Sequence, residues 1–299
     1  MKLIRAFGKI LLVLLVVLGT ALALVYWRSS SLMAQRIDVK EPALALPTDA
    51  EARTRGEHLA ITRGCTDCHG PDLGGRILVE ALPIGRLAAP NLTRGKGGVG
   101  ARLDTTSIER AVRHGLGPEG RLLLYMPATD YSGLADADMA DLIAFVTSVP
   151  PVDRDMPPPI AGPLMRTLFL LDKAPLVYAL KVDQHAAHVA TMTPAVSVEF
   201  GRYIAQSCTG CHGAQFAGGH VPGTPPDFPD ARNITPDPVA GIGKWNRDNF
   251  VAAVRTGKRP DGSDLKTFMP WQAFAKMTDT EVDALWAYLQ TVPPVAAVH

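Results

Sequence analysis

The feature that most constrains this chain is that it repeats itself. Cys65-Thr66-Asp67-Cys68-His69-Gly70 returns 143 residues later as Cys208-Thr209-Gly210-Cys211-His212-Gly213. Met126-Pro127 returns as Met269-Pro270 and Val149-Pro150-Pro151-Val152 as Val292-Pro293-Pro294-Val295 at the same spacing, while Asn91-Leu92-Thr93 meets Asn233-Ile234-Thr235 at 142. A register held from the first cysteine to the closing valine, with one single-residue slip in the loops, marks a duplicated unit. The chain therefore folds one small unit twice, over 51–152 and 196–299, with 153–195 between them.

The last helix of each unit is written in its period. Met139, Leu142, Ile143, Val146 and Val149 follow the spacing of one helix face, and Val282, Leu285, Trp286, Leu289 and Val292 repeat it. Thr278 with Glu281 forms a capping box before the second, and the doubled prolines stop both. Helices are predicted over 51–63 and 197–206, before each cysteine motif, and near 106–114 and 247–255. No stretch alternates as a strand, so the expected fold is all-α: two tandem units of three or four helices, wrapped by loops that use much of the chain's 27 Gly and 25 Pro.

Residues Ile10 to Trp27 are 18 positions without a charge, preceded by Lys2, Arg5 and Lys9 and closed by Tyr26 and Trp27. That is enough for one bilayer crossing, 10–27, with 1–9 on the cytoplasmic side and everything from the 28–50 linker onward across the membrane, the periplasm in a bacterium. Ala21-Leu22-Ala23 has the form of a signal-peptide cleavage site, but the apolar run continues past it, which favours a retained anchor. No Cys follows the run to carry a lipid. The segment 153–195 holds an apolar run, Leu164 to Leu180, broken by Arg166, Asp172, Lys173 and Pro175, which argues against a second crossing. It reads as a strap over the two units, with docking on the membrane surface or a partner subunit as the alternative.

The chemistry lies in CxxCH, the attachment signal of c-type haem. Two thiols three positions apart reach the two vinyl groups on one porphyrin edge, and the following imidazole is aimed at the iron. Cys65, Cys68 and His69, and Cys208, Cys211 and His212, therefore predict two covalent haems. Zinc would need further ligands and all four Cys are already used; a thioredoxin-like pair has no use for the histidine. For the sixth ligands we expect Met126 and Met269, each 57 residues after its histidine and each followed by proline. Met139 belongs to a helix stripe, Met277 has no counterpart, and His114 and His220 lack partners at the repeat offset and read as surface or propionate neighbours. A soft thioether favours ferrous iron and raises the potential. The Asn-x-Thr loops are expected to tie down the pocket near the propionates, and Arg113, Arg255, Trp245 and Trp271 are either pocket residues or ordinary packing. With 30 Lys and Arg against 29 Asp and Glu, nothing points to nucleic acid.

These residues resemble the cytochrome c family. The second unit, with Asn233-Ile234-Thr235-Pro236-Asp237, Gly241-Ile242-Gly243-Lys244-Trp245, Asp248-Asn249-Phe250 and Met269-Pro270, is similar to the cytochrome subunits of periplasmic alcohol and aldehyde dehydrogenases, which typically carry three haems where this chain has two motifs. The resemblance implies a membrane-anchored electron-transfer subunit rather than an enzyme, taking electrons from a dehydrogenase and passing them to quinone or an oxidase of the respiratory chain. The competing class is a haem redox enzyme, peroxidase-like or thiosulfate-oxidising, which needs an open iron position or a Cys ligand.

Overall fold

The computed structural model describes residues 2–296. α1 (Lys2–Met33) carries the apolar run, and its residues from Leu3 to Leu24 are exposed with nothing packed on them. At 1.5 Å per residue it is about 48 Å long, so it continues beyond the run as a stalk. In the first unit, α2 (Ala50–Thr62) starts where the Asp49 side chain accepts from the Ala52 amide at 2.7 Å. The single turn α3 (Cys65–His69) follows, then an antiparallel hairpin of β1 (Arg76–Ala81) and β2 (Gly85–Ala89). Next come α4 (Thr105–Glu109), running into one wide π-turn at Arg110–His114, and α5 (Asp136–Ser148). The strap supplies β3 (Ile160–Ala161) and α6 (Pro163–Leu170). The second unit holds α7 (Val198–Ala205), α8 (Thr209–His212), α9 (Arg247–Thr256), α10 (Trp271–Phe274) and α11 (Asp279–Leu289), the last opened by the expected Thr278–Glu281 capping box.

The architecture is all-α apart from the three short strands, which the sequence reading missed. β1 has every residue exposed, so no face is buried and no alternation is written into it. Its partner β2 is completed by β3 from the strap, Gly85 opposite Ala161.

Within each unit the first and last helices cross: α2 on α5, and α7 on α11. Gly56 and Gly201 sit at the crossings, where a Cβ would run into the carbonyl of Asp141 or Ala284. The apolar core does not stop at the unit boundary. Ala60, Met139 and Ile143 from the first unit and Ile204, Val282 and Leu289 from the second belong to one buried cluster. Tyr203 donates to Asp138 and accepts from the Ala135 amide at 3.1 Å, and His58 meets Glu281 at 2.8 Å, so the seam is polar at its edges. A second cluster joins Val39 of the linker, Leu116 and Leu122 of the first unit, and Met165, Leu176 and Val177 of the strap. The strap reaches the second unit too, where Gly223 donates to the Lys173 carbonyl at 3.2 Å.

Candidate functional site

Each cysteine motif is one helical turn entered and left through loops. Gly64, in the left-handed region at φ 77°, turns the chain out of α2 and into α3. On that turn Cys65 and Cys68 are three apart and His69 follows four after Cys65, so all three share one side. In the second unit Gln206–Cys208 forms a 3₁₀ turn that runs into α8 and carries Cys208, Cys211 and His212 the same way.

The two histidines are held identically. His69 Nδ1 lies 2.9 Å from the Pro90 carbonyl and His212 Nδ1 2.7 Å from that of Arg232. A carbonyl only accepts, so Nδ1 carries the proton and Nε2 is left with its lone pair for a metal. Burial lowers both imidazole pKa values, against the backbone bond, and keeps the rings neutral. Among the described residues neither Nε2 has a protein hydrogen-bond partner.

The carbonyls that set those rings belong to the residues just before the two Asn-x-Thr motifs. Asn91 Oδ1 accepts from the Thr93 amide and hydroxyl at 2.9 and 2.8 Å, and its Nδ2 donates to the Val152 carbonyl at 2.7 Å. Asn233 does the same with Thr235 at 2.8 and 2.7 Å and with Val295 at 2.7 Å. The repeated Asn-x-Thr and Val-Pro-Pro-Val motifs thus pair with each other. These side chains tie down the loop, as expected, and what they fix is the segment whose carbonyl orients the histidine.

The methionines are also matched. Pro127, at φ −81° and ψ 62°, and Pro270, at −78° and 51°, form inverse γ-turns in which the Ala128 amide returns to the Met126 carbonyl at 2.8 Å and the Trp271 amide to that of Met269 at 2.7 Å. Both methionines are half-buried, and Met126 packs against the shared core. The Tyr125 amide donates to Leu176 at 2.9 Å, so the strap holds the first methionine's loop from outside.

Arg113 and Arg255 turn out to be braces. Arg113, fully buried, donates to the Leu134 carbonyl, to Asp136 at 2.7 Å and to Glu109 at 3.1 Å; Arg255 donates to the Met277 carbonyl, to Ala275 at 2.7 Å and to Asp279 at 2.7 Å. Each closes the loop that starts at the methionine onto the head of the last helix. Trp245 packs on the shared core, and the Trp271 ring covers Gly257. His114 is not a surface residue: it is buried, with Nδ1 2.8 Å from Gln184 and Nε2 3.1 Å from Glu41. His220 is a surface residue, 3.6 Å from Asp230. Met139 is a core side chain, as its helix stripe predicts, and Met277 is buried in the core too.

Sequence reasoning missed Arg63. It is buried, donates to the Ile204 carbonyl at 3.0 Å and to Ser207 at 3.2 Å, and its own carbonyl accepts from the Tyr131 hydroxyl at 2.8 Å. Arg63 lies two residues before Cys65 and Ser207 one before Cys208, so the two attachment turns stand side by side across the seam. Asp130 reaches the same place: a Cβ on Gly210 would be 3.2 Å from its carboxylate.

The donor set fits c-type haem. Burial pushes the Cys65 and Cys208 thiols up to about 12 and raises those of Cys68 and Cys211. Among the described residues no three His, Cys, Asp or Glu side chains converge on a metal position. Beside the thiols stands a neutral imidazole with one free nitrogen, and each unit adds a thioether in a stiff turn.

The chain matches the cytochrome c family over residues 54–150 and 198–293. The cytochrome c subunit of the quinone-dependent alcohol dehydrogenase of Gluconacetobacter polyoxogenes is 42% identical over 106 residues, 33% of this chain and 23% of that protein. The gluconate 2-dehydrogenase cytochrome c subunit of Pantoea cypripedii is 34% identical over 143 residues, 46% and 31% of the two chains. A dihaem cytochrome c-type protein of Cereibacter sphaeroides aligns along nearly all of both, 93% and 97%, at 26% identity. The chain thus spans only a quarter to a third of the length of these two dehydrogenase subunits.

Proposed function

The chain belongs to the cytochrome c family through both of its repeats, and on that premise we propose that it is a membrane-anchored electron relay with its two haem domains at 51–152 and 196–299. It carries covalent haem c and transfers electrons. We assign His69 with Met126 to one iron and His212 with Met269 to the other. The observation that carries this assignment is the matched pair of supports: a carbonyl on each histidine Nδ1, and an inverse γ-turn behind each methionine.

When bound, the haem supplies a one-electron couple with soft axial ligation that favours the ferrous state. The chain's residues hold that couple rigid. Cys65 with Cys68, and Cys208 with Cys211, would hold a haem edge through its two vinyl groups. Pro90 and Arg232 fix the imidazole planes, and Arg113 and Arg255 brace the methionine loops. With His69 and Met126, and His212 and Met269, holding the two irons, neither would keep a position open for substrate, which separates a relay from a peroxidase. The Arg63–Ser207 contact brings the two attachment turns together across the seam.

For the donor we propose a periplasmic dehydrogenase, the kind of enzyme to which the named cytochrome subunits belong, and for the acceptor quinone or an oxidase. α1 is the proposed anchor, with the haem domains on the periplasmic face of the bacterial inner membrane. Haem staining of denaturing gels and pyridine haemochrome analysis should return two haems per chain, and the double change Cys208→Ala with Cys211→Ala should leave one. The ferrous wild-type protein should not bind carbon monoxide; rapid binding would overturn the ligand assignment and favour the enzyme class.

A further inference from the structure

α6 is docked on the last turn of the apolar span. The Arg166 guanidinium lies 4.6 Å from the centre of the Tyr26 ring, and its Nη1 donates to Ser29 at 2.8 Å and Ser30 at 3.0 Å. Ser29 is fully buried under this contact, on a helix whose residues from Leu3 to Leu24 are all exposed. Tyr26 and Trp27 are the aromatic residues that mark the water-facing edge of a span. α6 is therefore set against the aromatic end of the apolar run.

The hairpin tip is tied to the start of α6. Leu164 donates to the Pro83 carbonyl at 3.1 Å and Gly162 to that of Ile84 at 2.8 Å. The result is a continuous ledge on which large apolar side chains stand in the open: Leu82 at 89% exposure, Leu171 at 62%, Ile160 at 48% and Leu164 at 41%. Leu164 and Leu171 are two turns apart on one side, while Met165 on the other enters the apolar cluster that the strap shares with the linker and the first unit. The carboxylates nearest to these leucines in sequence, Glu80 and Asp172, are each paired, with Arg86 and Lys181. In the second unit the corresponding loop, 219–231, has no hairpin.

We propose that the β1–β2 tip, β3 and α6 form a membrane-resting ledge that sinks into the lipid headgroup and acyl boundary beside the anchor. The occupant is lipid because the ledge is continuous with the membrane-spanning helix and level with its aromatic edge, where headgroups are met before any soluble partner. The inference rests on the reading of α1 as an anchor. Its consequence is a fixed attitude for the first unit: the strap that carries α6 also bonds to Tyr125, next to Met126, so the first haem domain is held at a set height and cannot swivel on a flexible stalk.

The test uses the full-length holoprotein in nanodiscs of phosphatidylethanolamine and phosphatidylglycerol doped with a phospholipid bearing a diazirine on its acyl chain. After irradiation, mass spectrometry should find lipid adducts in α1 and in the peptides containing Leu82 and Leu164 to Leu171, and none at Val239, which is as exposed as Leu82 but lies in the second unit. The double variant Leu82→Asp with Leu164→Asp should cut the ledge adducts at least fivefold while the α1 adducts and both haems stay. Adducts confined to α1 in the wild type overturn the ledge and leave the anchor standing; adducts absent from α1 as well remove the anchor reading and the ledge with it. Ledge adducts undiminished in the double variant also overturn it, as does a ledge unlabelled by lipid yet shielded from a water-soluble label in native membranes, which gives that face to a protein.

Discussion

Gly56→Ala and Gly201→Ala set two effects of known size against each other. Alanine in a helix interior is favoured over glycine by about 1 kcal/mol, so in isolation either change would stabilise α2 or α7. In the folded protein, a Cβ on Gly56 would stand 2.0 Å from the Asp141 carbonyl oxygen and 2.8 Å from the Cβ of Phe145. On Gly201 it would stand 2.0 Å from the Ala284 carbonyl oxygen and 2.6 Å from the Cβ of Tyr288. Ordinary contact is about 3.5 Å, so each crossing would have to open by more than about 1 Å. The obstructing oxygen is helix backbone and cannot rotate aside. Overpacking of this kind costs about 1–3 kcal/mol, and a backbone clash belongs at or above the upper end, so the expected net loss is about 2 kcal/mol. For a folded region of this size that is about 4–8 °C in Tm. Because the apolar core is continuous across the seam, either variant should lower one shared transition, measured by far-UV circular dichroism on the detergent-solubilised holoprotein. A rise in Tm, or none of either sign, in both variants would refute the close crossing and leave helix propensity as the dominant effect.

Met126→Ala should admit carbon monoxide at the first haem only, and Met269→Ala at the second, each lowering its own haem's potential in a redox titration because the thioether is gone. Asn91→Ala removes the partner of the Thr93 amide and the side-chain amide that donates to the Val152 and Arg154 carbonyls, so it should cost about 2–4 kcal/mol in denaturant unfolding and broaden the histidine signals of that haem in paramagnetic NMR; Asn233→Ala should destabilise the other unit in the same way. For Glu281, burial pushes the pKa up, but hydrogen bonds from His58 and Thr278 outweigh it and hold the carboxyl below its ordinary value. A depressed carboxylate stabilises the fold above its unfolded pKa, and that contribution is lost as pH falls through the folded value. Unfolding of the wild type should therefore become easier below about pH 4.5, and Glu281→Gln should flatten that part of the profile; an identical slope in both proteins would show that the inter-unit contact contributes nothing.

Much of the site was legible because covalent haem chemistry is local. Cys-x-x-Cys-His is read within one helical turn, Met-Pro within one reverse turn, and the terminal helices announce themselves by the period of their apolar faces; these determined the cofactor, the duplication and the helical class without reference to anything distant. The matching positions of Asn-x-Thr and Val-Pro-Pro-Val were visible, but not their meaning, since they are about 60 residues apart and become partners only when the end of α5 or α11 returns to the loop after the histidine. Arg113 and Arg255 stood at matching positions, yet an arginine is compatible with a propionate or with a carbonyl, and only packing chose the carbonyl. The hairpin had no buried face to give it a period, Arg63 met Ser207 across a boundary that the repeat pattern treats as a gap, and Arg166 found Tyr26 and Ser29 on a helix at the other end of the unit. Interactions within a turn of the backbone are written in spacing. Contacts between segments 60 to 144 residues apart depend on which surfaces the folded helices bring together, and the tertiary structure alone decided those.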